Sequence, residues 1–119
     1  MVKEIHRFPN QAIHVGNHIH WDILRLLQEV KIGIRKAYQE GYRPDTLGID
    51  TRGVDFGLLD ASGELLGNPY HYRDQQTNGL IEELAGLIGV EELYRQTGLQ
   101  NMPFNTIYQL YAMTKSGSP

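Results

Sequence analysis

The 119-residue sequence contains no cysteine, which excludes disulfide bonds and thiolate chemistry. No apolar stretch approaches the ~18 residues of a membrane-spanning helix, and the first residues lack the apolar centre of a signal peptide. Lysine and arginine are scattered and the net charge is −3, so no basic surface for nucleic acid is indicated. We therefore expect one cytoplasmic domain that binds neither membranes nor nucleic acids.

Helical signals are clear in the first half of the chain. Asp22 is a suitable N-cap for a helix over 23–40, Gly41 is the expected residue after its end, and Pro44 prevents its continuation. Apolar side chains recur along this segment at helical spacing. They are Ile23, Leu26, Leu27, Val30, Ile34, Ala37 and Tyr38.

The last third of the sequence also predicts helices. One runs from Leu80 to its end at Gly89, and a short one over 91–96 ends at Gly98. A final helix is predicted from Pro103, since proline favours the first helical turn. Its inward-facing residues are predicted to be Ile107, Leu110, Tyr111 and Met113.

Strands are predicted over 2–8, 46–51 and 54–60, and residues 10–20 are predicted to form a loop or a hairpin that bends at Gly16-Asn17. Asp50, Thr51, Arg52 and Gly53 then lie at the end of a strand, where α/β proteins commonly bind small ligands. The glycine and lysine pattern of a Walker phosphate loop is absent. The residues alone leave two readings open: a plain tight turn, or a sugar-binding turn in which glycine admits a close ligand.

Other candidate chemistry is weaker. His14, His18 and His20 lie within seven residues and suggest a metal, but their spacing matches no standard motif, so we expect a solvated loop and no metal. The aspartates do not single out a general base. The aromatic, polar loop over 68–74 has the composition of a functional segment or of one that covers another part of the chain.

Three separated motifs, over 48–56, 68–74 and 102–110, together resemble one family. The first reads Gly-Ile-Asp-Thr-Arg-Gly-Val-Asp-Phe, the second Asn-Pro-Tyr-His-Tyr-Arg-Asp and the third Met-Pro-Phe-Asn-Thr-Ile-Tyr-Gln-Leu. The segments 4–8 and 21–22 match in the same order. In this combination the sequence is similar to the FGGY carbohydrate kinases, and among them to the L-rhamnulokinases, which have the actin-like ATPase fold.

The resemblance implies an α/β architecture, a ribonuclease H-like mixed sheet with packed helices, present here as a partial domain. Residues 1–115 would be part of the N-terminal, sugar-binding domain, and 116–119 a tail. The implied reaction is ATP-dependent phosphorylation of L-rhamnulose, or a related ketose, on its C1 hydroxyl in rhamnose catabolism. ATP, Mg²⁺ and the catalytic base would be held by parts of the family's longer chain, so no catalytic or cofactor residue is expected here.

By the same resemblance, Gly53 contacts the sugar, and Asn105, after Phe104, begins a segment near the sugar pocket. Two positions depart from the family. Arg52 replaces a tryptophan beside the sugar turn, and Gln76 replaces a basic residue. Because arginine offers hydrogen-bond donors where tryptophan offers an apolar surface, one hypothesis is that Arg52 alters the choice of sugar; the alternative is that it points to solvent and has no effect.

Two further expectations follow. A partial domain would leave a sheet edge and an apolar helix face unpaired, which favours a homodimer through either surface. The alternative function is a stand-alone, non-catalytic binding or assembly module built on the same half-fold.

Overall fold

The computed structural model of the chain describes residues 2–117, which form a small α/β domain. A hairpin of β1 (Ile13–Val15) and β2 (His18–His20) is followed by α1 (Ile23–Gln39), a 3₁₀ turn (Gln75–Thr77), α2 (Leu80–Ile88), α3 (Val90–Thr97) and α4 (Thr106–Ser116). None of the helices in this described part of the chain is both long and apolar enough to cross a membrane.

Of the two alternatives for residues 10–20, the structure forms the hairpin and not a loop. Its antiparallel strands pair Ile13 with His20 and Val15 with His18. The connecting bend begins with Gly16, whose φ of +58° is the left-handed conformation that glycine adopts most readily.

The helix predicted over 23–40 is confirmed as α1. The Asp22 side chain accepts a hydrogen bond from the Arg25 N–H at 3.1 Å, and Gly41 follows the helix end with φ +88°. The N-terminal segment lies along this helix and forms no strand. His6 places its Nε2 2.6 Å from Glu29 and accepts from Lys36 at 2.9 Å through Nδ1.

The buried core lies between α2, α3 and α4, and it is small. The helices predicted to end at Gly89 and Gly98 are confirmed, and both glycines have positive φ. The apolar core residues that pack together are Leu80, Leu84, Leu93, Tyr108 and Ala112.

The prediction for α4 was only partly right. The helix starts at Thr106 after a turn over 103–105, so Pro103 precedes it. Tyr108, Ala112 and Met113 are buried, whereas Ile107 and Leu110 are exposed, because the helix turns its Tyr108 face to α2 and α3. It continues through Ser116 into the predicted tail, of which residues 118 and 119 lie outside the described part.

The strands predicted over 2–8, 46–51 and 54–60 are wrong for residues 2–117, whereas the ribonuclease H-like mixed sheet of a whole domain stays a prediction. Residues 2–117 contain one two-stranded sheet, and the segments 2–8, 46–51 and 54–60 form no strand apart from an isolated bridge between Leu59 and Leu65. The physical reason is that an extended segment becomes a strand only when a neighbour pairs with it. In 46–51 the alternating apolar side chains Leu47 and Ile49 are 68% and 81% exposed.

The chain exposes far more surface than its mass requires. Its accessible area is 9051 Å², against about 6,600 Å² for a compact monomer of this size. Its radius of gyration is 18.3 Å, against about 13.5 Å. Much of the excess is apolar, because α1 has no buried residue. Leu27, Val30, Ile34 and Tyr38 form one exposed stripe, the α1 apolar face.

We expect the isolated chain to self-associate through the α1 apolar face, since exposed apolar stripes of this extent are unfavourable in water. Light scattering should give a mass above that of the 13.6-kDa monomer. Leu27→Glu combined with Ile34→Glu should shift the chain toward monomer. Gln28→Glu with Gln39→Glu adds the same charge to positions outside the stripe and should not. A wild-type chain that stays monomeric at high concentration would contradict the expectation.

Candidate functional site

Asp74 fastens the β-hairpin to the loop over 68–74. Its carboxylate is 1% exposed. It accepts hydrogen bonds from the Ile19 N–H at 2.6 Å and the Gln76 N–H at 2.9 Å, and His18 Nδ1 lies 3.1 Å away. Two of the histidines considered as metal ligands thus have structural partners, because His20 Nδ1 also lies 3.0 Å from the Asn68 carbonyl. The expectation that no metal binds them stays a prediction.

The hydrogen bonds keep Asp74 ionised despite its burial. Burial by itself raises the pKa of a carboxyl group, and here it is the largest single influence. The N–H donors of Ile19 and Gln76 and the ring of His18 together outweigh it, so the pKa of Asp74 lies below its usual value. A carboxylate with a lowered pKa stabilises the fold above the unfolded-state pKa, and that stabilisation is lost as the pH falls through the folded-state pKa.

Asp74→Asn should lower the free energy of unfolding at pH 7 by about 2 kcal/mol, because an amide cannot replace a charged acceptor of several hydrogen bonds. In urea titrations, the difference from the wild type should shrink as the pH falls through the folded-state pKa of Asp74. Asp45→Asn, in the exposed loop after α1, is the matched control and should change stability little. A difference that persists at low pH would show that the charge is not responsible.

A row of rings runs from the hairpin to the start of α4. Trp21 and His71 have ring centroids 4.3 Å apart, His71 and Tyr72 4.5 Å, and Tyr72 and Phe104 6.3 Å. Burial lowers the pKa of His71, and the nearby Asp55 charge offsets this only in part. The imidazole is therefore neutral at pH 7 and packs as an uncharged ring.

The turn at Gly53 and Val54, which we call the central turn, is held in a strained conformation by α4. Val54 has φ +105°, which is unfavourable for a β-branched residue. The Gln109 amide, on a residue only 3% exposed, donates to the Val54 carbonyl and to the Phe104 carbonyl, both at 2.8 Å. Sequence reasoning missed Gln109. Its only signal is a polar residue directly beside Tyr108 on the face of α4 that is buried.

Replacing Val54 by glycine should relieve this strain. We expect Val54→Gly to change the free energy of unfolding by less than about 0.5 kcal/mol, because removing the strain offsets the lost side chain and the greater freedom of the unfolded chain. Val90→Gly, at the more exposed start of α3, should cost about 0.5–1 kcal/mol. Urea denaturation compares the two. A larger loss at Val54 than at Val90 would argue against strain at the turn.

The turn borders a cleft of about 490 Å³, within the size range of small-ligand sites. Two of its lining residues are joined to each other, since Trp21 Nε1 donates to Asp55 Oδ2 at 2.8 Å. Asp55 Oδ1 is buried and has no hydrogen-bond partner within residues 2–117. We call this space the Arg52 cleft. Its polar and aromatic lining consists of Asn10, Trp21, Asp50, Thr51, Arg52, Asp55 and Phe56.

Arg52 lies on the rim of this cleft, and its guanidinium is held over an aromatic ring. Its Cζ lies 5.1 Å from the Tyr72 centroid, and an N–H donates to the Tyr72 hydroxyl at 3.2 Å. The ring fixes the direction of the charge while the side chain remains exposed.

The two residues expected to contact sugar lie on either side of Val54. Asn105 lines a second cleft of about 330 Å³ together with Val54, and its amide donates to the Gln100 carbonyl at 2.8 Å. Gly53 is exposed, and a Cβ added there would meet no atom within 4 Å. The chain itself therefore does not require glycine at this position. Direct contact of Gly53 and Asn105 with a sugar stays a prediction.

Comparisons with known proteins agree with the motif reading. The chain is 46% identical over 115 residues to the rhamnulokinase of Oceanobacillus iheyensis, covering 97% of this chain and 24% of that protein. It is 42% identical over 112 residues to the rhamnulokinase of Pectobacterium atrosepticum, covering 94% of this chain and 23% of that protein. The resemblance to the rhamnulokinases is confirmed. The chain spans about a quarter of the length of these curated relatives, and no protein-family model matches it.

Proposed function

We propose that this chain is the sugar-binding part of an ATP-dependent ketose kinase of the rhamnulokinase type, in the FGGY family. The reaction would transfer a phosphoryl group to the C1 hydroxyl of L-rhamnulose or a related ketose. The observation that carries the proposal is the identity of 42–46% along almost all of this chain to two rhamnulokinases. The three motifs that suggested the family all fall in this chain.

The local geometry supports a binding role. The Gln109 side chain donates to the Val54 carbonyl, next to Gly53, and to the Phe104 carbonyl, next to Asn105. Both candidate sugar contacts therefore adjoin residues that are held by the same side chain. The adjoining clefts offer carboxylate acceptors, amide and guanidinium donors and aromatic walls, the groups that bind hydroxyls and the C–H faces of sugars. Such positioning is most of what a protein contributes to phosphoryl transfer.

The remaining chemistry would come from outside the chain. ATP supplies the phosphoryl group, and Mg²⁺ offsets the charge of the phosphates. We assign residues 1–115 to an N-terminal domain of ribonuclease H-like fold and place the protein in the cytoplasm. In that setting the α1 apolar face and the exposed segment 46–51 would pack against the rest of the domain. No observation favours the stand-alone binding module.

A chimera tests the proposal. The matching segment of the Oceanobacillus iheyensis rhamnulokinase is replaced by residues 2–117 of this chain. We expect ketose-dependent release of ADP. The same exchange with the Pectobacterium atrosepticum segment is the control for the grafting itself. An inactive chimera beside an active control would contradict the proposed function.

Within the active chimera, Gly53→Ala should lower kcat/KM for the ketose by about tenfold or more, because a methyl group would occupy space meant for the sugar. Gly67→Ala is the matched control, since an added Cβ meets no atom within 4 Å at either position. Both variants should unfold at the same denaturant concentration as the parent. Equal activities of the two variants would remove Gly53 from the sugar site.

A further inference from the structure

We infer that Arg52 makes its cleft selective for a fully hydroxylated ketose over the corresponding deoxy sugar. The inference rests on the proposed function and takes the Arg52 cleft, which adjoins Gly53 in sequence, as the part of the sugar site that sets the substrate class. It depends on the hydrogen-bond donors, the hydrogen-bond acceptors and the apolar surface that the residues lining the cleft provide.

The donors come from Arg52. One N–H is used by the Tyr72 hydroxyl, and the guanidinium carbon lies 5.1 Å from the Tyr72 ring centroid, so two contacts hold the cation beside this ring. The guanidinium has five N–H groups in a rigid fork, and within residues 2–117 it forms no ion pair. The rim of the cleft therefore presents a fixed cation with donors to spare.

The hydrogen-bond acceptors of the Arg52 cleft are carboxylates. The Asp50 and Asp55 side chains line the same cleft as Arg52. Trp21 holds one oxygen of Asp55, while the other is buried without a partner, which is unfavourable for a carboxylate. Because Asp55 Oδ1 is closed to solvent, a ligand hydroxyl would donate instead to the exposed Asp50 carboxylate and accept from the neighbouring Arg52.

The walls supply flat apolar surface. The apolar part of the lining includes the Trp21 and Phe56 rings together with Ile23, Leu26 and Pro69. A sugar ring places its C–H face on such a surface and its hydroxyls on the charged rim. A methyl group in place of a hydroxyl would cover Arg52 and remove water from its charge without giving a hydrogen bond, which costs binding energy. The geometry thus disfavours a deoxy carbon at the rim.

The experiment compares L-fructose with L-rhamnulose, which is 6-deoxy-L-fructose and differs only by one hydroxyl. In the active chimera, the ratio of kcat/KM for L-fructose to that for L-rhamnulose should fall by about tenfold or more in Arg52→Leu. Arg73→Leu is the matched control. Arg73 also lies over the Tyr72 ring, at 5.2 Å, but does not line the cleft, so its loss should leave the ratio within twofold.

A binding measurement provides a second, activity-independent test on the 119-residue chain. Trp21 is the sole tryptophan and lines the cleft, so its fluorescence should respond to bound sugar. L-Fructose should bind more tightly than L-rhamnulose, and Arg52→Leu should abolish the preference while Arg73→Leu keeps it.

The outcomes separate the two claims. If the chimera phosphorylates ketoses but Arg52→Leu changes the ratio by less than fivefold, or no more than Arg73→Leu does, the inference is wrong and the proposed function stands. If the chimera is inactive and neither sugar alters Trp21 fluorescence, both are wrong. If the chimera is inactive but the Arg52-dependent preference for L-fructose is seen by fluorescence, the inference holds and the kinase proposal is wrong.

Discussion

The site depends on one buried amide. Gln109 donates to two carbonyls that are far apart in sequence, those of Val54 and Phe104. With the amide in place, the central turn keeps a backbone conformation that valine would otherwise avoid. If these two hydrogen bonds were lost, both carbonyls and the buried amide would be without partners, and the link between the turn and the segment before α4 would be lost. This interaction therefore joins the turn to the segment before α4, beside the two clefts.

A second anchor sets the other side of the site. The Asp74 carboxylate accepts hydrogen bonds from the Ile19 N–H of the hairpin and from the Gln76 N–H of the 3₁₀ turn, so it joins these two segments. Because Trp21 directly follows the hairpin, fixing the hairpin also fixes the ring that donates to Asp55. The aromatic row then spans from this anchor to Phe104, so both buried polar anchors act on the same cleft. This is why a small core between α2, α3 and α4 suffices to order residues that are distant from it.

How well the sequence predicts a feature depends on how far apart in sequence the interacting residues are. The limits of α1, α2 and α3 depend on nearby residues, such as the Asp22 cap and the glycines after each helix, and these were predicted within one residue. The segments 46–51 and 54–60 have strand-like alternation, but pairing needs a neighbour that sequence alone cannot place. The inward face of α4 was partly missed for the same reason, since buried Gln109 hydrogen-bonds the Val54 carbonyl, which is distant in sequence. Of the site, Gly53 and Asn105 came from resemblance, whereas the Asp55–Trp21 contact came only from the structure.

Substitutions of buried residues that hold the fold and of exposed residues at the cleft differ in what they can show about function. Asp74 and Gln109 are buried and hold several hydrogen bonds each, so their loss changes the fold and any activity together. Arg52 is exposed, and a cation over an exposed ring contributes only about 0.5–1 kcal/mol. Gly53 has free space around its Cα, so a side chain there meets nothing within the chain. Changes at these two positions leave the folded chain intact, and an effect on sugar choice would therefore arise in the cleft itself.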